Sequence, residues 1–249
     1  MSTRLACVIF DADRPRLVAD FWAELLDWAV TIDRTDEVDV AAPDPDGLEL
    51  ALTFRSATRA KDGKNRMHLD LASRSLDHQR VQVDRALALG ARHVDIGQGT
   101  VPWVVLTDPE GNEFCVLEPR EEYVDTGAVA AIVIDTHDPA RLADFWSTAS
   151  GWPIAYGGAR GAALRSATGL GSWLEFVRTP DVRGGRNRLR FDLVSFPTDD
   201  PAAEVARLRA AGATQVAADD VGGMPGLVLA DPETNEFCLR RPMPDYSTV

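Results

Sequence analysis

The sequence predicts an α+β protein in which one domain is written twice, each copy built from two strand-helix-strand-strand-strand modules. Three repeated phrases predict the duplication. Asp20-Phe21-Trp22 returns as Asp144-Phe145-Trp146, and Asn65-Arg66-Met67-His68-Leu69-Asp70-Leu71 returns as Asn187-Arg188-Leu189-Arg190-Phe191-Asp192-Leu193. Asp108-Pro109-Glu110-Gly111-Asn112-Glu113-Phe114-Cys115 returns as Asp231-Pro232-Glu233-Thr234-Asn235-Glu236-Phe237-Cys238. The offsets are 124, 122 and 123 positions. Three anchors in one order at nearly constant spacing mark a tandem duplication.

Each element has its own signal. Leu5 to Phe10 reads as a buried strand. Asp13 followed by Pro15 predicts a helix start, a capping carboxylate and then a proline that needs no hydrogen-bond partner. Leu17, Val18, Phe21, Trp22 and Leu25 form one apolar helical stripe, with the Phe-Trp pair as a core anchor in both copies. Strands are expected at Ala29 to Asp33, Glu37 to Ala42 and Leu48 to Phe54, the last after the turn Asp44-Pro45-Asp46-Gly47. The same order then restarts. A strand from Met67 to Ala72 precedes a helix from Ser75 to Leu89 ended by Gly90, and strands follow at Arg92 to Ile96, Trp103 to Thr107 and Glu113 to Glu118. In the second copy, strands are expected at Ala130 to Asp135, Gly171 to Arg178, Arg188 to Val194, Leu227 to Ala230 and Glu236 to Arg240. Its helices are expected at Pro139 to Ala149 and Pro201 to Ala211, with Gly157 to Gly161 as a flexible turn. Pro119 to Gly127 has turn formers and charges but no period, which places a linker there and domains at 1–122 and 126–249.

Composition bounds the function. A chain of 249 residues, 45% hydrophobic and 26% charged, is a globular balance for two domains. A net charge of -13 argues against a nucleic-acid partner, because phosphate binding needs clustered cations. No run of apolar residues is long enough to span a membrane and no signal peptide is visible, so no membrane partner and a cytoplasmic location are expected. Cys7, Cys115 and Cys238 lie in strand-like segments and are expected as reduced thiols. Walker, dinucleotide and nucleophile-elbow motifs are all missing from the sequence.

Four such modules, together with the three phrases, resemble the vicinal oxygen chelate superfamily and its glyoxalase-like, bleomycin-resistance-type branch. The resemblance implies that paired modules curl into an open barrel around a cavity. It also implies a divalent metal in the enzymes, held from the first and last strands of each module. In the first copy those positions read Cys7 or Ala6, Thr53 with Glu49 four residues earlier on the same strand face, His68 and Cys115; in the second they read Ala131, Glu175, Arg190 and Cys238. An arginine cannot ligate a metal, so the second copy is expected to lack the usual site. Glu175 and Arg190 are instead expected to form an ion pair across that pocket, or an anion hook. For the first copy the expectation is no metal cofactor, the alternative being zinc, iron, manganese or nickel on Cys7, Glu49, His68 and Cys115. His68 is the ionisable residue that differs most in kind between copies, and Arg66 and Asp70 share its strand face. It is expected beside Trp103, holding the polar edge of an aromatic or quinone-like ligand, or acting as an acid-base catalyst. His78, His93 and His137 are read as surface residues. The reading that emerges is a small-molecule binding protein, monomeric because the two copies supply the contact that single-domain relatives obtain by dimerising. The alternative is a lyase, isomerase or dioxygenase-like enzyme on the same fold.

Overall fold

The structure is a computed structural model that describes residues 3–42, 50–56, 61–181, 185–216 and 226–241. The first module is β1 (Thr3–Ala12), α1 (Pro15–Leu26), β2 (Ala29–Asp33), β3 (Glu37–Ala41) and β4 (Ala51–Ser56). The second is β5 (Met67–Leu71), α2 (Leu76–Ala88), β6 (Arg92–His93), β7 (Val104–Thr107) and β8 (Glu113–Val116). A short 3-10 turn, Glu121–Tyr123, lies in the segment between the copies. The third module is β9 (Val129–Thr136), α3 (Pro139–Ser150), β10 (Ile154–Gly157), β11 (Gly161–Leu164) and β12 (Trp173–Arg178). The fourth is β13 (Leu189–Ser195), α4 (Pro201–Ala210), β14 (Thr214–Gln215), β15 (Leu227–Ala230) and β16 (Glu236–Arg240). The glycine-rich stretch at Gly157 to Gly161 thus joins two strands, β10 and β11, that short alanine- and glycine-rich runs do not announce.

The α+β class and the tandem plan hold, and the modules pair across copies. One eight-stranded sheet runs β14-β15-β16-β13-β1-β4-β3-β2, joining the first and fourth modules; the other runs β10-β11-β12-β9-β5-β8-β7-β6, joining the second and third. At the seams, β1 lies antiparallel to β13 with Val8 opposite Phe191, and β5 lies antiparallel to β9 with Leu69 opposite Ile132. Within each module the first strand is parallel to the last, which sets Cys7 beside Ala51 and Asp70 beside Cys115. The sheets curl without closing into barrels.

The repeated phrases form the same hydrogen-bonded knot in each copy. Buried Trp22 donates from Nε1 to Asp108 at 3.3 Å, and Trp146 donates to Asp231 at 3.1 Å. Asp108 also accepts the backbone N–H groups of Glu110 and Asn112, and Asn65 donates to the Asn112 side chain. Asp231, Asn235 and Asn187 repeat this arrangement. Phe114 and Phe237 pack on the two tryptophans at centroid distances of 5.0 and 5.4 Å. The helix of one module is thereby fastened to the last hairpin of its neighbour in sequence, so each copy keeps a common core although its sheets are shared. Leu17 departs from the predicted stripe and is exposed.

The start of α1 corrects one expectation. Asp13 does not cap it; Arg14 occupies the cap position and makes no side-chain cap bond. The backbone N–H groups of Asp13 and Arg14 donate instead to the Glu110 carboxylate at 2.8 and 2.6 Å. The same carboxylate receives Arg188 of the second copy at 2.6 Å. Glu233 mirrors it, accepting from His137 and Asp138 N–H and from Arg66 of the first copy at 2.9 Å. Two reciprocal clasps therefore tie the copies, each made of a hairpin glutamate, a helix start and an arginine from the other copy. No helix among the described residues is long and apolar enough to cross a membrane.

Candidate functional site

Cross-copy pairing redistributes the predicted site residues between two concave faces. The second sheet gathers His68 and Asp70 from β5, Cys115 from β8 and Glu175 from β12, because alternate residues of paired strands share a face. The first sheet gathers Cys7 from β1, Arg190 and Asp192 from β13 and Cys238 from β16. Cys7 therefore does not join His68 and Cys115 as the alternative metal set requires; it packs with Ile9, Val228 and Cys238 on the other sheet. Glu49 lies outside the described residues. The expected Glu175–Arg190 ion pair does not form, since the two side chains belong to different sheets. Arg190 pairs with Asp11 at 2.6 Å, and Glu175 accepts a hydrogen bond from the Tyr123 hydroxyl at 2.9 Å.

The floor of the second sheet's face is acidic and soft. His68 Nε2 stands 3.4 Å from Asp70 Oδ1, and the donor atoms of His68, Asp70 and Cys115 all lie within 4.8 Å of one another. Asp70 Oδ1 is buried without a hydrogen-bond partner. Burial, despite the nearby His68, raises the proton affinity of Asp70 above that of an ordinary carboxyl. Burial also raises Glu175, with the charge of Asp70 adding to the effect, and pushes the Cys115 thiol well up beside that same aspartate. One carboxyl group and a thiol thus share one small volume with a single imidazole, and the Glu175 carboxyl stands on the same face two strands away. Among biological cations this donor set of imidazole, carboxylate and sulfur suits a borderline-soft divalent ion such as zinc, so the residues present fit the metal that the resemblance implies.

Aromatic side chains surround this floor. Tyr123 reaches in from the segment between the copies and packs with Cys115, Leu117, Trp103 and Trp173. Arg120 lies over the Trp103 and Tyr123 rings at 5.5 and 5.7 Å, and Arg165 lies over Trp173 at 4.6 Å. Tyr156 stands 6.3 Å from Trp173, its hydroxyl pushed up to about 12 by burial and by Glu175. Trp173 Nε1 donates to the Glu122 carbonyl, which holds the 3-10 turn against the second copy. Trp103 packs with the cluster around Cys115, with Nε1 directed to Gln98. Sequence reasoning missed Tyr123, Trp173 and Arg165; a lone tyrosine in an otherwise charged linker was the available signal.

The first sheet offers an internal comparison. Its positions Arg190, Asp192, Cys238 and Arg240 correspond to His68, Asp70, Cys115 and Leu117. There Asp192 is fully buried and paired with Arg240, and Arg55 pairs with Glu37. Cys7, its thiol pushed up to about 11 by burial, and Asp39 line this face, whereas Ala131 and Ala163 stand at the matching places on the second sheet. One face is thus occupied by guanidinium–carboxylate pairs, and the other carries the shorter side chains of His68 and Leu117 at the positions of Arg190 and Arg240. Of the region around Gly222 to Gly226, which replaces the Trp103 stretch, only Gly226 lies within the described residues. Of the remaining histidines, His93 and His137 are exposed as expected, while His78 is half-buried against Gln82.

The comparisons with known proteins agree with this architecture. The family model described as glyoxalase-like domain matches twice, over residues 7–117 and 131–240. No curated protein matches the chain. Among solved structures, glyoxalase I from Zea mays superposes with a TM-score of 0.67 at 13% identity, covering 96% of this chain and 92% of that one. A putative dioxygenase from Bacillus subtilis subsp. subtilis str. 168 superposes with a TM-score of 0.60 at 15% identity, covering 98% of this chain and 87% of that one. At such identities the likeness is one of fold, and it extends over both copies. The repeated phrases, the four modules and the double match together place the chain in the glyoxalase-like domain family, within the vicinal oxygen chelate superfamily, as a tandem duplication.

Proposed function

We propose that this chain binds a small aromatic or otherwise apolar molecule on the concave face of its second sheet, with no metal required. His68, Asp70 and Glu175 meet the ligand's polar edge, and Trp103, Tyr123 and Trp173 meet its ring. The observation that carries this reading is the internal comparison: His68 and Leu117 stand where the sister face has Arg190 and Arg240. A mostly apolar pocket with a few convergent polar groups is the usual chemistry of such sites. One chain already supplies both copies and both clasps, so the proposed state is a monomer; a sedimentation mass of two chains would contradict it.

The test is a ligand-observed NMR screen of one- and two-ring phenols and aromatic carboxylates. Hits should weaken about tenfold in His68→Ala, the loss of one hydrogen bond to a charged or polar group. They should disappear in Leu117→Arg, which returns a guanidinium to the floor. Hits indifferent to both substitutions would sink the proposal. The His68, Asp70 and Cys115 cluster favours a second reading, a metal-bearing enzyme of lyase, isomerase or dioxygenase type. Metal analysis of protein purified without chelators decides between them: stoichiometric zinc, iron, manganese or nickel that is lost in Cys115→Ser would establish the second reading and remove the metal-free one.

A further inference from the structure

The helix α2 carries its exposed stripe toward a groove. Only Gln79 and Ala86 of this helix are buried, while His78, Val81, Gln82 and Arg85, spaced as one helical face, line a cavity of about 950 Å³. Across it stand Pro119, Tyr123 and Val124 of the segment between the copies, and Leu25 and Leu26 from the end of α1 close one side. The volume lies within the range of small-molecule sites.

Two features of the lining point to one kind of occupant. Arg74 and Arg85 both line the groove, and neither has a carboxylate within 4.0 Å among the described residues, although Asp27 and Glu121 lie elsewhere on the rim. In a chain of net charge -13, two unpaired guanidiniums on one wall are a local reversal of sign. At the mouth, Val81 and Val124 are 62% and 75% exposed, so two outward-facing apolar side chains border the same groove.

We propose that this groove is a second binding site, for a small amphipathic anion whose acidic head meets Arg74 and Arg85 and whose apolar body lies on Leu25, Leu26 and Val81. It is lined by different residues from the His68 face, with which it has Ala72, Arg120 and Tyr123 in common. The site does not depend on what the His68 face binds.

The probe is 1-anilinonaphthalene-8-sulfonate, titrated by its fluorescence against the intact chain, with N-phenyl-1-naphthylamine as the uncharged counterpart of the same shape. The expected result is a saturable sulfonate site that weakens with added sodium chloride. The double substitution Arg74→Gln with Arg85→Gln should weaken the sulfonate about tenfold and the neutral dye less than twofold. Val81→Asp, which sets a carboxylate on the lip, should also weaken the sulfonate, and His68→Ala should leave it unchanged. The proposal is overturned if no saturable site is found, or if the arginine substitutions leave the sulfonate affinity unchanged. Equal losses for the two dyes would overturn the anion assignment, and loss in His68→Ala would place the dye on the other face.

Discussion

Replacing Glu110 with alanine should destabilise the chain by about 3 to 5 kcal/mol, because it removes the single acceptor of one clasp between the copies. The magnitude follows from what would be left behind. The Glu110 and Arg188 side chains are 4% and 7% exposed, and they meet at 2.6 Å. Without the carboxylate, Arg188 keeps a buried charge whose other near acid, Asp13, is 4.0 Å away, and its Nε already lacks a partner. The N–H groups of Asp13 and Arg14 also lose their acceptor, which by itself is comparable to removing a helix cap, about 1 kcal/mol. Glu110→Gln preserves shape and one acceptor, so its loss should be smaller, about 1 to 3 kcal/mol. Equilibrium urea unfolding followed by tryptophan fluorescence reads these values, taken from the first transition if the curve shows more than one. The double variant Glu110→Ala with Arg188→Ala should recover part of the loss, since neither half of the pair then remains buried alone. An alanine variant within about 1 kcal/mol of the wild type would show that the clasp is solvated and that the copies are held by sheet pairing alone.

Three further predictions follow from comparing one copy with the other. Thr234 sits at φ 66°, where the first copy has Gly111 at φ 84°, so Thr234→Gly should raise stability by about 1 kcal/mol in the same urea assay; a loss would mean that its side-chain contacts outweigh the backbone strain. Returning both guanidiniums to the second sheet with His68→Arg and Leu117→Arg should yield a folded chain that no longer binds any hit of the aromatic screen, and retained binding would contradict the assigned face. Cys7, Cys115 and Cys238 are buried thiols outside any disulfide whose ionisation burial suppresses, so at pH 8 iodoacetamide should label none of them in the native chain and all after unfolding. Rapid native labelling at any one, read by mass spectrometry, would contradict its placement.

What the sequence revealed and what it hid have physical reasons. Trp22 and Trp146 were legible as core anchors because helical spacing exposes an apolar stripe directly. The hairpin Asp108-Pro109-Glu110-Gly111-Asn112 was legible as a turn, but the task of Glu110 was not, since its partners, Arg188 and the start of α1, are distant in sequence. The same limit explains the site. The sequence marks His68, Cys115, Trp103 and Glu175 one by one, but adjacency in the chain joins Cys7 to the first two and Arg190 to the last, as if each copy closed on itself. Pairing of β5 with β9 and of β1 with β13 is a property of strand edges that no periodicity encodes. Tyr123 was hidden for a related reason: a turn without period carries no sign of which face one aromatic side chain will cover.

The most direct test of the proposed binding face is a crystal structure of the chain soaked with the tightest hit of the aromatic screen. The expected result is density over His68 and Asp70, ringed by Trp103, Tyr123 and Trp173, with residues from both copies in contact and none on the Arg190 face. Density on the Arg190 face, or within residues of one copy alone, would contradict a site built across the duplication.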